Sequence, residues 1–350
     1  MFDDEESIPT WDRLPLDVTS ALSVVLDSNG MPSHALALYA RWWQLETWLR
    51  DLAYVEIRSR DGLNWNNAIG SQAEIRQQRD DEYEYMASPD WENPLAYLDA
   101  SRLLGLIEEN WELFSTSLPG RESWAGRRAE LLSIRNRIGH LRRPHRDDLR
   151  KIEQTLRDLE RGAFRAITSY NRWLEPAGVS KDDPIFSAFR RDDLPGAKGL
   201  IAHAERQYNM GVRLSYTVRP WANFLAETDQ PSGSSGIVWS VGFYPTLGNF
   251  DLVRLWKDLS PLTRQVVMHV LTDSPGHLNM TFPAVDDSDL IAVAIGDALE
   301  SAMHYCRSGP EDSFESQTVR RLRTMDFRVQ LVTPWAFVDE SMTPISFFGA

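Results

Sequence analysis

Arg135, Asn136 and His140 fall within six consecutive residues, Arg135-Asn136-Arg137-Ile138-Gly139-His140, and carry a guanidinium, an amide and an imidazole. On a helix, Asn136 and His140 share a face and Arg135 takes a neighbouring flank. Gly139 removes a side chain beside the histidine and leaves room for a ligand or a second backbone. Such a group can cleave RNA without a metal. An RNA strand brings its own nucleophile, the 2′-hydroxyl. Imidazole exchanges protons near neutral pH, with that hydroxyl or with the leaving oxygen. Arginine holds a phosphate through two donors and offsets the charge that develops in the transition state. Asn136 orients the histidine or donates to the phosphate. The products are a 2′,3′-cyclic phosphate and a 5′-hydroxyl. In the alternative, His140 is only a cation that favours the C-terminus of its helix.

The motif needs a helix to present it, and the spacing predicts one from Arg121 to His140, with Ala129, Leu132 and Ile138 apolar. Four others surround it. A long helix runs from Ser33 to Arg58, with Leu38, Trp42, Leu45, Leu49, Leu52 and Ile57 on one face, Ser33 as N-cap and Asp61-Gly62 as its end. A second covers Gly70 to Met86, before a break at Ser88-Pro89-Asp90. A third covers Pro94 to Phe114, ended by Leu118-Pro119-Gly120. The last runs from Arg146 to Leu174, after Arg142-Arg143-Pro144. Residues 1–30 form a lead-in with a short helix at Val18 to Leu26, and residues 31–174 a helical bundle.

The texture changes at Glu175-Pro176-Ala177-Gly178. Strand patterns follow at Val212 to Val218, Gly236 to Tyr244, His277 to Pro283 and Phe327 to Thr333, with helical patterns at Phe250 to Leu271 and Asp289 to Cys306. Residues 180–350 therefore read as an α+β domain, and the whole chain as mainly α.

Arg135-Asn136-x-x-x-His140 on a late bundle helix resembles the Arg-polar-x(3)-His motif of the HEPN superfamily. The Leu131-Leu132-Ser133-Ile134 approach, and Glu109-Asn110-Trp111 at the end of the Leu98-to-Phe114 stretch, are similar to HEPN proteins of bacterial defence systems. The resemblance covers residues 31–174. It implies a HEPN-like bundle and a metal-independent endoribonuclease, without cofactor, of the toxin or phage-defence type. It also implies a homodimer in which two motif helices meet, so that Arg135 and His140 of both subunits face one RNA strand. An antitoxin, a regulatory protein or the α+β domain, as sensor or regulator, would hold such an enzyme inactive. The alternative is a catalytically silent HEPN-like dimerisation module whose α+β domain binds a ligand or a protein.

The net charge of −14 excludes a generic nucleic-acid coat. Residues 121–172 nevertheless hold fourteen Lys or Arg against seven Asp or Glu, a local +7 that leaves −21 for the rest. Within that stretch Arg137, Arg142 and Arg143 flank the motif and either hold RNA phosphates or are simply solvated. Glu46 and Arg50, four apart on the first helix, form an ion pair or reach the cleft. His145 reads as a loop residue. Trp42, Trp43, Trp48 and Trp111 read as core rather than base-stacking platforms.

Other chemistries lack their residues. His34, His203, His269, His277 and His304 show no metal-ligand spacing, and His-Glu-x-x-His, the phosphate-loop pattern and the Gly-x-Ser-x-Gly elbow are absent. Cys306 is the only cysteine, so no intrachain disulfide or cysteine metal cluster can form. The acidic start, Met1 to Glu6, is unlike a signal peptide. No apolar run approaches the roughly 20 residues of a membrane span. The expected location is the cytoplasm.

Overall fold

The computed structural model describes residues 33–82, 93–246, 248–274, 276–307 and 326–331, together with six positions between 16 and 24. The apolar repeat from Leu38 to Ile57 becomes helix α1 (Ser33–Asp61), which buries Leu38, Leu45, Leu49, Leu52 and Ile57. Gly62 ends it with φ +56, and a β-carbon there would lie 1.9 Å from Asp286 Oδ1, so both the turn and the neighbour require glycine. A short α2 (Asn66–Ile69) and α3 (Ser71–Asp81) follow. The remainder of the expected second helix and the break at Ser88-Pro89-Asp90 lie outside the described residues. So does most of the expected helix at 18–26, where the described positions 18, 20, 21, 23 and 24 are helical.

The expected third helix is divided. A 3₁₀ turn (Pro94–Tyr97) comes first, then α4 (Ala100–Glu109), then α5 (Trp111–Phe114). Asp99 caps α4 by accepting from the Arg102 amide, an interaction that starts a new helix rather than continuing an old one. At Asn110 the backbone leaves the helix (φ −113, ψ 35). Helix α6 (Arg121–Gly139) and helix α7 (Asp148–Asn171) complete this part, α7 starting two residues later and ending three earlier than its apolar pattern suggested. At Gly162 of α7 a β-carbon would lie 1.6 Å from the Ser117 carbonyl, so only glycine lets the turn after α5 approach this closely.

Beyond residue 178 come α8 (Pro184–Arg190), α9 (Leu200–Tyr208), β1 (Met210–Val218), β2 (Ile237–Pro245), β3 (Asn249–Phe250), α10 (Leu252–Asp258), α11 (Pro261–Val266), β4 (His269–Ser274), β5 (His277–Pro283), α12 (Ser288–Tyr305), β6 (Cys306–Arg307) and β7 (Val329–Leu331). The sheet order is β1-β2-β5-β4-β7, antiparallel except for the β4–β7 pair. The chain is thus mostly helical, with a small sheet in its C-terminal part. The helix expected from Phe250 to Leu271 is corrected to two helices and a strand. Ser260 caps α11 and Pro261 opens it, while the β-prone run that includes Val270 pairs in the sheet. Strand residues expected beyond 331 lie outside the described ones. No described helix is long and apolar enough to cross a membrane.

The two parts meet along a buried polar seam. Arg219 Nε donates to Glu56 Oε2 at 3.0 Å with both side chains fully buried, and Trp221 Nε1 donates to the same oxygen at 2.7 Å. Tyr54 donates its hydroxyl to the Met268 carbonyl at 3.0 Å. Tyr170 Oη lies 2.6 Å from His269 Nδ1 and 2.8 Å from Thr281 Oγ1. Burial, reinforced by the charges of Arg328 and Arg219, pushes His269 down to about 3, so the ring is neutral.

Candidate active site at the end of α6

Helix α6 turns Trp124, Leu131 and Ile134 into the core, which leaves its other face open. Its end follows the Schellman pattern. The Leu141 amide donates to the Ile138 carbonyl at 3.0 Å, and the Arg142 amide donates to the Arg137 carbonyl at 2.9 Å. Such an end requires a left-handed residue after the cap, and here it is not glycine but Leu141, with φ +51 and 94% of its surface exposed. His140 is the cap residue itself, and its side chain is exposed.

Arg135 is half-buried and folds across Gly139. A β-carbon on Gly139 would sit 3.4 Å from Arg135 Nη1, so the room expected there for a ligand or a second backbone is occupied by the arginine. Both residues, with Ile138, line a pocket of about 200 Å³ whose other wall is Tyr39, Trp42, Trp43, Glu46 and Arg50 of α1. Glu46 accepts from Trp42 Nε1 and pairs with Arg50, so this ion pair stands within the pocket that holds Arg135. His140 is not among the lining residues.

Trp43 corrects the expectation that it is core: it is 62% exposed, whereas Trp42 and Trp48 are buried and Trp111 is half-buried. It pairs with Tyr39, itself 52% exposed, at a centroid distance of 6.3 Å and an angle of 42°. Sequence reasoning missed these two. The signal was present, because 39, 43, 46 and 50 repeat at helical spacing one position beyond the buried stripe.

The basic stretch sorts into paired and unpaired charges. Arg127 pairs with Glu130 and Asp158, Arg128 with Glu108, and Lys151 with Glu130. Arg137, expected among the phosphate contacts, is engaged by buried Asp148 through Nε at 2.7 Å and Nη2 at 2.5 Å, which fastens the end of α6 to the start of α7. Burial pushes the Asp148 carboxyl up, but hydrogen bonds from Arg137 and the His145 amide outweigh it and hold the group below the usual carboxylate range. Arg142 and Arg143 are exposed. Among the described residues, the side chains of Arg135, Asn136, His140, Arg142 and Arg143 have no hydrogen bond or ion pair. Asn136 therefore does not orient His140 within a single chain. His145 is exposed in the loop, as its position after Pro144 suggested.

No described group of three or more His, Cys, Asp or Glu side chains is placed to hold a metal ion. The end of α6 thus gathers guanidiniums, an amide and an imidazole beside an exposed aromatic pair. Compared with protein-family models, curated proteins and solved structures, the chain matches none.

Proposed function

We propose that this protein is a metal-independent endoribonuclease of HEPN type that acts as a homodimer and serves as a toxin or phage-defence effector. The observation that carries the reading is the end of α6, where Arg135, Asn136 and His140 lie within two turns and make no side-chain hydrogen bond or ion pair among the described residues, although Arg135 is near enough to Asp99 for its charge to help lower that carboxyl. On the same basic stretch Arg127, Arg128, Arg137 and Lys151 are paired, whereas Arg121, Arg157, Arg161, Arg165 and Arg172 have no ion pair among the described residues, so it is the pocket beside Arg135 that sets the end of α6 apart. Polar side chains that no neighbour in the chain engages, standing beside a pocket, are available to a substrate.

In this reading Arg135 binds the scissile phosphate and offsets the charge on its equatorial oxygens. One His140 accepts the proton of the 2′-hydroxyl as that oxygen attacks phosphorus. The bond to the 5′-oxygen breaks, and that oxygen takes a proton from His140 of the partner subunit. Asn136 donates to a phosphate oxygen, and Arg142 and Arg143 hold the flanking strand. Tyr39 and Trp43 receive an unstacked base. The dimer is needed because one chain offers one imidazole while the reaction uses an acid and a base.

The test is RNA cleavage with EDTA present, comparing wild type with His140→Ala and Arg135→Ala. Wild type is expected to leave 2′,3′-cyclic phosphate ends, and each variant to lose at least about 100-fold in rate. Equal cleavage by all three proteins would reject the assignment.

A further inference from the structure

Helix α1 lines a second pocket. Glu46, Arg50, Tyr54 and Arg58 recur at four-residue intervals along one stripe, and Arg58 lies about 12 Å along the axis from Arg50. Where that stripe meets α2, α3, α11 and the residues before β7 there is a cavity of about 590 Å³, within the range of small-molecule sites.

Its lining is rich in arginine. Arg58, Arg264 and Arg328 line it, and among the described residues Glu74 is the one lining carboxylate. Arg328 is neutralised by Asp326, through Nε at 2.9 Å and Nη2 at 2.7 Å. Arg58 is 2% exposed, donates to the carbonyls of Gln265 and Val266 at 3.0 and 3.2 Å, and shares a side-chain hydrogen bond with Tyr54. Its nearest carboxylate oxygen, Asp286 Oδ2, is 3.7 Å away, and burial pushes the Asp286 carboxyl up, which weakens it as a counter-ion. The half-buried Arg264 side chain has no partner among the described residues. Arg264 therefore faces the cavity without a counter-charge, and the deeply buried Arg58 faces it with one carboxylate, Asp286, at 3.7 Å rather than in close contact.

The cavity is also aromatic. Tyr54 meets Trp65 edge-on at 5.0 Å and Phe327 edge-on at 4.9 Å between centroids. The amides of Asn66 and Gln77 stand on the same wall and can bond the edge of a heterocycle. Guanidiniums match phosphate geometry, and aromatic rings stack on nucleobases.

We infer that this cavity is a mononucleotide site, with the phosphate held by Arg58 and Arg264 and the base packed against Trp65 and Phe327. It is separate from the pocket at the end of α6 and does not depend on the nuclease reading.

Calorimetric titration of the full-length protein with adenosine 5′-monophosphate, adenosine and inorganic phosphate tests it. The nucleotide is expected to bind at least tenfold more tightly than either fragment. Arg264→Ala weakens it at least tenfold. Should Arg264→Ala melt early, Glu74→Gln carries the test, and removing the exposed carboxylate tightens binding severalfold. Equal affinity for nucleotide and fragments, or no change in Arg264→Ala or Glu74→Gln, would overturn the assignment.

Discussion

Arg135 rests on Gly139, four residues along the same helix, with Nη1 3.4 Å from the point a β-carbon would occupy. That spacing is ordinary van der Waals contact for one methyl but leaves no room for a branched chain. Gly139→Ala is therefore expected to keep RNA cleavage within about threefold of wild type, with helix stability raised by up to about 1 kcal/mol. Gly139→Val displaces the guanidinium and slows cleavage at least about tenfold, since small misplacements of a binding group are costly. Rates and melting temperatures of the two variants check this. Equal rates would show that the seat of Arg135 does not matter.

Trp43 and Trp42 are adjacent in sequence and opposite in environment. Trp43→Ala removes an exposed ring and is expected to leave the melting temperature nearly unchanged, while the KM for RNA rises about tenfold, as one lost base stack implies. Trp42→Ala empties a core position and lowers stability by about 3–5 kcal/mol. A Trp43→Ala protein with wild-type KM would remove the aromatic pair from the site.

Leu141 occupies a left-handed position without glycine's freedom. Its side chain is almost wholly exposed, so only the backbone bonds of the helix end, which glycine would also make, offset the strain. Leu141→Gly is expected to stabilise the protein by about 1 kcal/mol, seen as a higher urea midpoint at unchanged slope. Leu141→Val shifts the midpoint the other way. A lower midpoint for the glycine variant would mean that the leucine packs against something, such as a second copy of the chain.

Neutral His269 makes stability depend on pH. Its folded value is about 3, below that of an unfolded histidine near 6.5, so between those values the unfolded chain binds the extra proton. Stability is full above about pH 6.5 and falls as pH drops toward 3, by about 1.4 kcal/mol per unit once below the unfolded value. Urea unfolding at pH 7.0, 6.0 and 5.0 measures the slope. His269→Gln removes it, and the same slope in both proteins would assign the effect to other groups.

Much of the fold was legible where one period dominates. The Leu38-to-Ile57 repeat gave α1, and the short apolar runs gave β1, β2 and β5 nearly to the residue. The failures have local causes. Asn110 interrupts an otherwise helical pattern, and the capping pair Ser260-Pro261 restarts one. The Val267-to-Leu271 run suits a buried helix and a buried strand equally until its neighbours are known. At the end of α6, the helical placement of Arg135 was legible from spacing. The engagement of Arg137 by Asp148 was not, because it joins residues eleven apart across a turn whose geometry no periodicity encodes. Trp43 was misread because four tryptophans were assigned by residue type rather than by position on the helix.

The seam that joins the helical part to the sheet also constrains how the molecule can be cut or switched. Glu56, Arg58, Tyr54 and Tyr170 each have a polar partner beyond residue 178. A truncated chain ending there would strand an acid, a guanidinium and two phenols in an apolar wall, so it would aggregate rather than work alone. Because the seam draws on both α1 and α7, through Tyr54 and Tyr170, a hinge between the two parts would have to break bonds from two helices at once.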